Sequence, residues 1–184
     1  MSIERSLIEH CSPTLASLKV GSLFSFLSPA CDELHAQVRA LNEQLSEKGL
    51  SLRLVKSLGS RELCYLYRTS HLNAVLADPD NAAFLRSHGY EDMDAHCVLE
   101  TLCRRLEDNP DFPHEIGLFL GYPLGDVIGF IENQGKNCLC CGMWKSYTDK
   151  AAAQKLFAKF SKCTEVYKRM HKHGRTLNQL TVAA

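Results

Sequence analysis

Leu50-Ser51-Leu52-Arg53-Leu54 alternates apolar and polar residues, and the alternation ends at Gly59-Ser60. Leu63-Cys64-Tyr65-Leu66-Tyr67 follows. A period of two puts one face of a strand on a core and the other toward water. Gly-Ser between two such runs is a tight turn, so the segment predicts a β-hairpin. Upstream the period changes. Leu34, Val38, Leu41 and Leu45 fall on one helical stripe, with Gly49 as its C-terminal cap. Ser28-Pro29 reads as the start of that helix, and Asp32 and Glu33 in the first turn favour its dipole. A hairpin beside an amphipathic helix predicts an α+β chain.

Working outward, residues 2–10 read as a helix, and Ser12-Pro13-Thr14 as the start of a second, with Leu15 and Leu18 on its apolar face and Gly21 after it. Ser22 to Phe26 follows as a strand. Ser70 and Asp80 open two short helices, the second closed by Gly89. Asp94 caps a helix burying Val98, Leu99, Leu102 and Leu106, and Asn109-Pro110 breaks it. Phe112 to Tyr122 reads as a buried strand, Asp126 to Glu132 as a short helix stopped near Gly135, and Cys138 to Tyr147 as a strand. Thr148 is the expected cap of a long final helix ended by Gly174, with Leu156, Phe157, Phe160, Cys163, Val166 and Tyr167 inside. The expected architecture over residues 1–184 is a single domain: a mainly antiparallel sheet of four or five strands with helices packed on it.

The chain has 184 residues, 21 Lys plus Arg against 21 Asp plus Glu, and 45% hydrophobic residues. The balance lacks the basic field that nucleic-acid binding uses. No apolar run reaches the ~20 residues of a membrane helix. Met1-Ser2-Ile3-Glu4-Arg5 has no signal layout, so a cytoplasmic protein is expected. Its nine cysteines are then mostly thiols, and an odd count cannot pair completely.

Three blocks carry a family pattern. The first is His10-Cys11-Ser12-Pro13-Thr14-Leu15-Ala16, through Lys19 to Gly21-Ser22-Leu23-Phe24. The second runs from Phe112-Pro113-His114-Glu115-Ile116-Gly117 through Gly121-Tyr122-Pro123 to Asp126-Val127 and Gly129-Phe130-Ile131. The third is Gly142, Trp144-Lys145 and Tyr147, with Cys163-Thr164 and Val166-Tyr167 beyond. Together they resemble the DUF3793 family, a bacterial family of unknown function found mainly in anaerobes. The resemblance implies no established reaction, and an association with flavodoxin-like or iron-handling partners. Gly125 stands where the family usually has an acidic residue, so no acidic pair forms with Asp126.

Two constellations bear chemistry. Cys11 lies just before the helix that Ser12-Pro13 would open, where free N–H groups and the dipole stabilise a thiolate. His114 would begin a strand ending in Gly121-Tyr122. This layout resembles papain-like thiol peptidases, especially those that process bacteriocin leaders. Cys11 would attack an acyl carbon of a small-molecule or peptide ligand, with His114 as base and Asp126, Asn133 or Asn137 orienting the imidazole. The expectation is a thiol-dependent hydrolase or acyl transferase.

The second constellation is Cys138-Leu139-Cys140-Cys141. On a strand, Cys138 and Cys140 share a face and Cys141 takes the other. Such a pair suits zinc, another soft metal or a reversible disulfide, with Cys163, His171 and His173 as further ligands. The alternative function is a non-catalytic redox, metal- or heme-associated accessory protein. Eight histidines are present, and Tyr122, Trp144 and Tyr147 are available to stack on a heme or flavin. No Cys-x-x-Cys-His heme attachment and no glycine-rich nucleotide fingerprint is found. The basic run Lys168-Arg169, His171-Lys172-His173 and Arg175 suits the last turn of a helix.

Overall fold

A computed structural model describes residues 2–27, 31–108 and 112–183, with no side-chain description for residues 31 and 32. Ser28-Pro29, Asn109-Pro110 and the Asp32 side chain lie outside the described residues. The described elements, in chain order, are α1 (Ile3–Leu15), β1 (Gly21–Leu27), α2 (Cys31–Ser46), β2 (Leu50–Leu58), β3 (Arg61–Arg68), α3 (Thr69–Ala77), α4 (Pro79–Ser87), α5 (Ala95–Asp108), α6 (Ile116–Phe119), α7 (Leu124–Glu132), β4 (Cys140–Cys141), β5 (Lys145–Ser146), α8 (Lys150–Lys172) and α9 (Leu177–Leu180). The fold class is α+β. The chain divides into two compact units, Met1–Leu72 with Cys163–Ala184, and Asn73–Lys162.

The first unit is built on a three-stranded antiparallel sheet in the order β1-β3-β2. The β2–β3 hairpin turns at Gly59, whose φ of 70° is the left-handed region that glycine enters freely, and Leu58 pairs with Arg61 across the turn. A bulge between Leu54 and Lys56 interrupts the alternation, and Val55 within it is buried. α1 and α2 complete one core with the sheet: Leu7, Ile8, Cys11 and Leu15 from α1, Phe24 and Phe26 from β1, and Leu34, Val38, Leu41 and Leu45 from α2. Each fully buried aliphatic side chain contributes about 1.5–3 kcal/mol.

α1 corrects the expectation of two helices. It runs unbroken through Pro13. Proline lacks an N–H and is costly inside a helix, but here it falls in the last turn. The Ser12 hydroxyl donates to the Ile8 carbonyl within that turn. Cys11 is therefore a helix-interior residue and does not stand at an N-terminus.

Arg68, at the end of β3, is 1% exposed. Its Nε donates to Thr14 O at 2.8 Å, and its Nη2 to Leu15 O and Val182 O at 2.7 Å each. Nη1 reaches Lys48 O at 3.4 Å. The guanidinium so caps the carbonyl end of α1, the negative pole of the helix dipole, and ties residue 182 to it. Thr176 and Gln179 form a capping box on α9, whose Leu177 and Leu180 join the same core.

In the second unit, Asp94 caps α5 as expected, its carboxylate accepting from the His96 and Cys97 N–H groups, and Val98, Leu99, Leu102 and Leu106 are buried. α4 is capped by Asp78, with Pro79 at its first position, so Asp80 lies in the first turn. α8 is capped by Asp149, which accepts from Ala152 N at 2.9 Å, and not by Thr148.

The segment 112–122 is not a strand. Ile116, Gly117 and Leu118 donate to the carbonyls three residues back, α6 follows, and Gly121 (φ 76°) closes it with Tyr122 N donating to Gly117 O at 2.9 Å. That six-to-one bond is a Schellman ending. A short, continuous apolar run does not distinguish strand from buried helix by periodicity; the two glycines and the turn at Pro113 decide it. The segment 138–147 is reduced to a two-residue ladder, with Cys140 opposite Ser146 and Cys141 opposite Lys145. The five described strands thus form two sheets, not one.

Candidate functional site

A cleft of about 330 Å³ opens in the second unit. One wall is α6, Tyr122 and α7, contributing Ile116, Gly117, Val127 and Phe130; the other is the β4–β5 hairpin, from Cys141 to Lys145. His114 stands at its mouth. A broader groove of about 620 Å³ lies in the first unit, between Ile3, Phe26, Leu34 and Leu41, but Glu4 and Glu33 are its only ionisable lining residues among those described. The smaller cleft gathers imidazole, thiol, ammonium and aromatic groups, so it is the better candidate.

Asp126 holds the two walls together. It is buried, and five donors converge on it. The Trp144 indole N–H donates to Oδ2 at 2.8 Å. Oδ1 accepts from Tyr147 N at 2.7 Å, Thr148 N at 2.9 Å, Thr148 Oγ1 at 2.8 Å and Ser146 Oγ at 3.3 Å. Burial pushes its pKa up, but the donors outweigh burial and hold the carboxyl below its ordinary value. Asp126 on α7 thereby fixes the hairpin that carries Trp144.

Trp144 is the centre of an aromatic cluster. Tyr122 stacks on it at 4.9 Å and 24°, and Phe157 meets its edge at 4.5 Å. His114 packs edge-on against Phe130 at 4.9 Å. Lys145 Nζ lies 5.9 Å from the centre of the Phe130 ring and donates to Gly135 O at 2.6 Å. The turn bearing His114 is anchored from behind. Glu115 is buried, accepts from Arg105 Nε at 2.6 Å, and takes the Tyr90 hydroxyl at 3.2 Å.

Glycines let these elements approach. A Cβ on Gly129 would lie 2.6 Å from Tyr147 Cβ, and one on Gly117 would lie 2.7 Å from Val127 Cγ2. Gly129→Ala is expected to lower stability by about 1–3 kcal/mol through overpacking. Alanine favours a helix by ~1 kcal/mol over glycine, so only the contact with Tyr147 explains a loss. A thermal melt that matches or exceeds the parent would refute the close-approach reading.

The residues proposed from sequence separate as follows. His114 and Asp126 both line the cleft. Asn133 ends α7, its amide donating to Gly129 O at 2.8 Å. Asn137 adopts a left-handed conformation, φ 59°. Cys11 belongs to the other unit, fully enclosed in its core. Burial raises its thiol far above the ordinary range, and neither Lys19 nor the Ser22 hydroxyl offsets that. The helix N-terminus that was to activate Cys11 and the strand that was to carry His114 are both absent from the described residues.

The hairpin sets the adjacent thiols Cys140 and Cys141 on opposite faces. Cys140 faces the side of Ser146, its Sγ 4.0 Å from Lys150 O, while Cys141 lines the cleft opposite Lys145. Cys138 and Cys163 are half-buried, in different units. Among the described residues no group of three or more His, Cys, Asp or Glu side chains is arranged to hold a metal ion. His171 and His173 instead turn their Nδ1 atoms to the carbonyls of Arg175 and Arg169. Also among the described residues, no helix is long and apolar enough to cross a membrane.

The family model described as a protein of unknown function (DUF3793) matches residues 7–181. The chain belongs to the DUF3793 family. No curated protein matches it, and no solved structure does. In this DUF3793 chain, the second and third sequence blocks meet around the cleft. His114, Gly117, Tyr122, Asp126 and Phe130 come from one, and Gly142, Trp144 and Lys145 from the other. Sequence reading named most of these residues but missed Met143 and the stacking of Tyr122 on Trp144. The signal for the latter was the aromatic content of two blocks that had no common element to join them.

Proposed function

We propose that this chain is a non-catalytic accessory protein whose second unit binds a small, flat aromatic ligand of the flavin type. The observation that carries this reading is the Tyr122–Trp144 stack beside Phe130 and His114, around a cleft of about 330 Å³. That volume sits at the lower end of small-molecule sites, which are mostly apolar with few polar groups. It suits one fused ring system. The Lys145 ammonium at the rim favours an electron-rich or anionic edge on the ligand.

A redox role, with a flavodoxin-like protein as partner, rests on the family resemblance. The free thiols of Cys11 and Cys64 in the first unit and of Cys97 and Cys141 in the second support a reducing, cytoplasmic setting. The thiol-hydrolase reading has less behind it, because it requires an accessible, activated Cys11. The zinc reading lacks a convergent donor set among the described residues.

Titration with riboflavin is expected to give saturable one-to-one quenching of flavin fluorescence, with a matching change in Trp144 emission. Tyr122→Leu is expected to weaken binding roughly tenfold, the scale of one aromatic stacking contact. Neither riboflavin nor flavin mononucleotide saturating the protein would overturn the reading.

A further inference from the structure

We propose that His114 selects the ligand of this cleft: its imidazole donates a hydrogen bond to a ring carbonyl, so the ligand class is flat rings that carry carbonyls, as flavins and quinones do. This rests on the flat-ligand reading and adds to it the chemistry of the ligand's edge.

The hydrogen-bonding groups around the cleft are almost all committed to the scaffold. Trp144 spends its indole N–H on Asp126 Oδ2, and Tyr122 gives its hydroxyl to Met143 O at 3.3 Å. Asp126 is 3% exposed and already takes five donors. The hairpin backbone is closed as well, with Gly142 N donating to Trp144 O at 3.0 Å. Lys145 commits one ammonium hydrogen to Gly135 O. Cys141 offers a thiol, which is a weak donor and a weak acceptor. The His114 ring is exposed at the mouth, and neither of its nitrogens meets a protein partner among the described residues.

The fold holds this imidazole in place. The ring packs edge-on against Phe130 at 4.9 Å. The His114 carbonyl accepts from Gly117 N at 3.1 Å, which closes the turn. The next residue, Glu115, is 2% exposed and is bound by Arg105 Nε at 2.6 Å and the Tyr90 hydroxyl at 3.2 Å. A group held in this way loses little freedom on meeting a ligand. An imidazole keeps at least one N–H in either charge state. The cleft's acceptors, Asp126 and Met143 O, are spent, whereas His114 and the remaining hydrogens of Lys145 are donors. A ligand whose edge accepts is therefore matched, and a ring carbonyl accepts in the plane of its ring.

The test is equilibrium dialysis of the full chain against riboflavin, a dimethylated naphthoquinone and the naphthalene of the same substitution. The last two share their rings and methyl groups and differ in the carbonyls. His114→Phe keeps an aromatic ring beside Phe130 and removes both nitrogens. It is expected to weaken riboflavin and the quinone about fivefold, the worth of one hydrogen bond, and to leave the naphthalene unchanged. A packing role would move all of them alike, so an equal loss for the naphthalene overturns the assignment. Saturable binding of riboflavin and the quinone that is indifferent to His114→Phe also overturns it, and leaves the flat-ligand reading standing. If none of these probes saturates the parent chain, the flat-ligand reading fails and the assignment fails with it.

Discussion

Arg68→Met is expected to lower the stability of the first unit by about 2–4 kcal/mol, the cost of removing charge-assisted hydrogen bonds to buried carbonyls. The guanidinium donates to Thr14, Leu15 and Val182 carbonyls at 2.7–2.8 Å. At 1% exposure, water cannot replace it. Methionine fills much of the volume but offers no donor, so the Val182 carbonyl loses the guanidinium, and the Thr14 and Leu15 carbonyls keep only the backbone donors Ser17 N at 3.2 Å and Val182 N at 3.0 Å. Arg68→Lys recovers only part of the loss, because one ammonium cannot span the fork of a guanidinium. Urea denaturation followed by far-ultraviolet circular dichroism measures the shift. The single tryptophan, Trp144, lies in the second unit, so its fluorescence reports that unit separately. An unchanged midpoint for Arg68→Met would mean that the clamp contributes nothing.

Asp126→Asn is expected to cost about 3 kcal/mol in the second unit, because a charged acceptor is lost and an amide N–H₂ is set against groups that are themselves donors. Either Trp144 loses its acceptor or the Tyr147 and Thr148 donors do. Trp144 emission should shift to the red as the hairpin loosens. The pH dependence has a definite sign. Burial raises the Asp126 pKa, but donation from Tyr147, Trp144 and Thr148 gives a net depression. A depressed carboxyl stabilises the fold above its unfolded pKa, and that contribution is lost as pH falls through the folded value. The parent should therefore lose Trp144 burial on acidification below the ordinary carboxylate range. Asp126→Asn should start less stable and lack that step. Parallel acid curves for the two proteins would rule out Asp126 as the anchor.

The hairpin from Leu50 to Tyr67 was legible because its period and its turn glycine agree. α5 was legible for the same reason, with Asp94 as cap and four leucine and valine positions on one face. Pro13 misled, because proline at a first helical position and proline in a last turn look alike without the carbonyls around them. Phe112 to Tyr122 misled because a buried run carries no period. The anchor at Asp126 was not legible at all: its donors come from residues 144–148, and only the folded hairpin aims them at one carboxylate. His114 and Asp126 both line the cleft, whereas Cys11, grouped with them in one expected catalytic set, is enclosed in the core of the first unit. Arg68 attracted no notice, since its partners are backbone carbonyls, which no side-chain pattern announces.

The Arg68 clamp also orders events in time. Val182 stands 114 residues after Arg68, and α9 completes the first core only after the whole of the second unit has been passed. The β2–β3 hairpin, α1 and α2 precede the second unit in sequence, whereas the Val182 carbonyl that Arg68 meets follows it. The second unit is continuous in sequence. The usual N-terminal-first order is therefore expected to be inverted: protection of amides in the second unit should precede that of β3 and α9 in pulse-labelled hydrogen exchange during refolding.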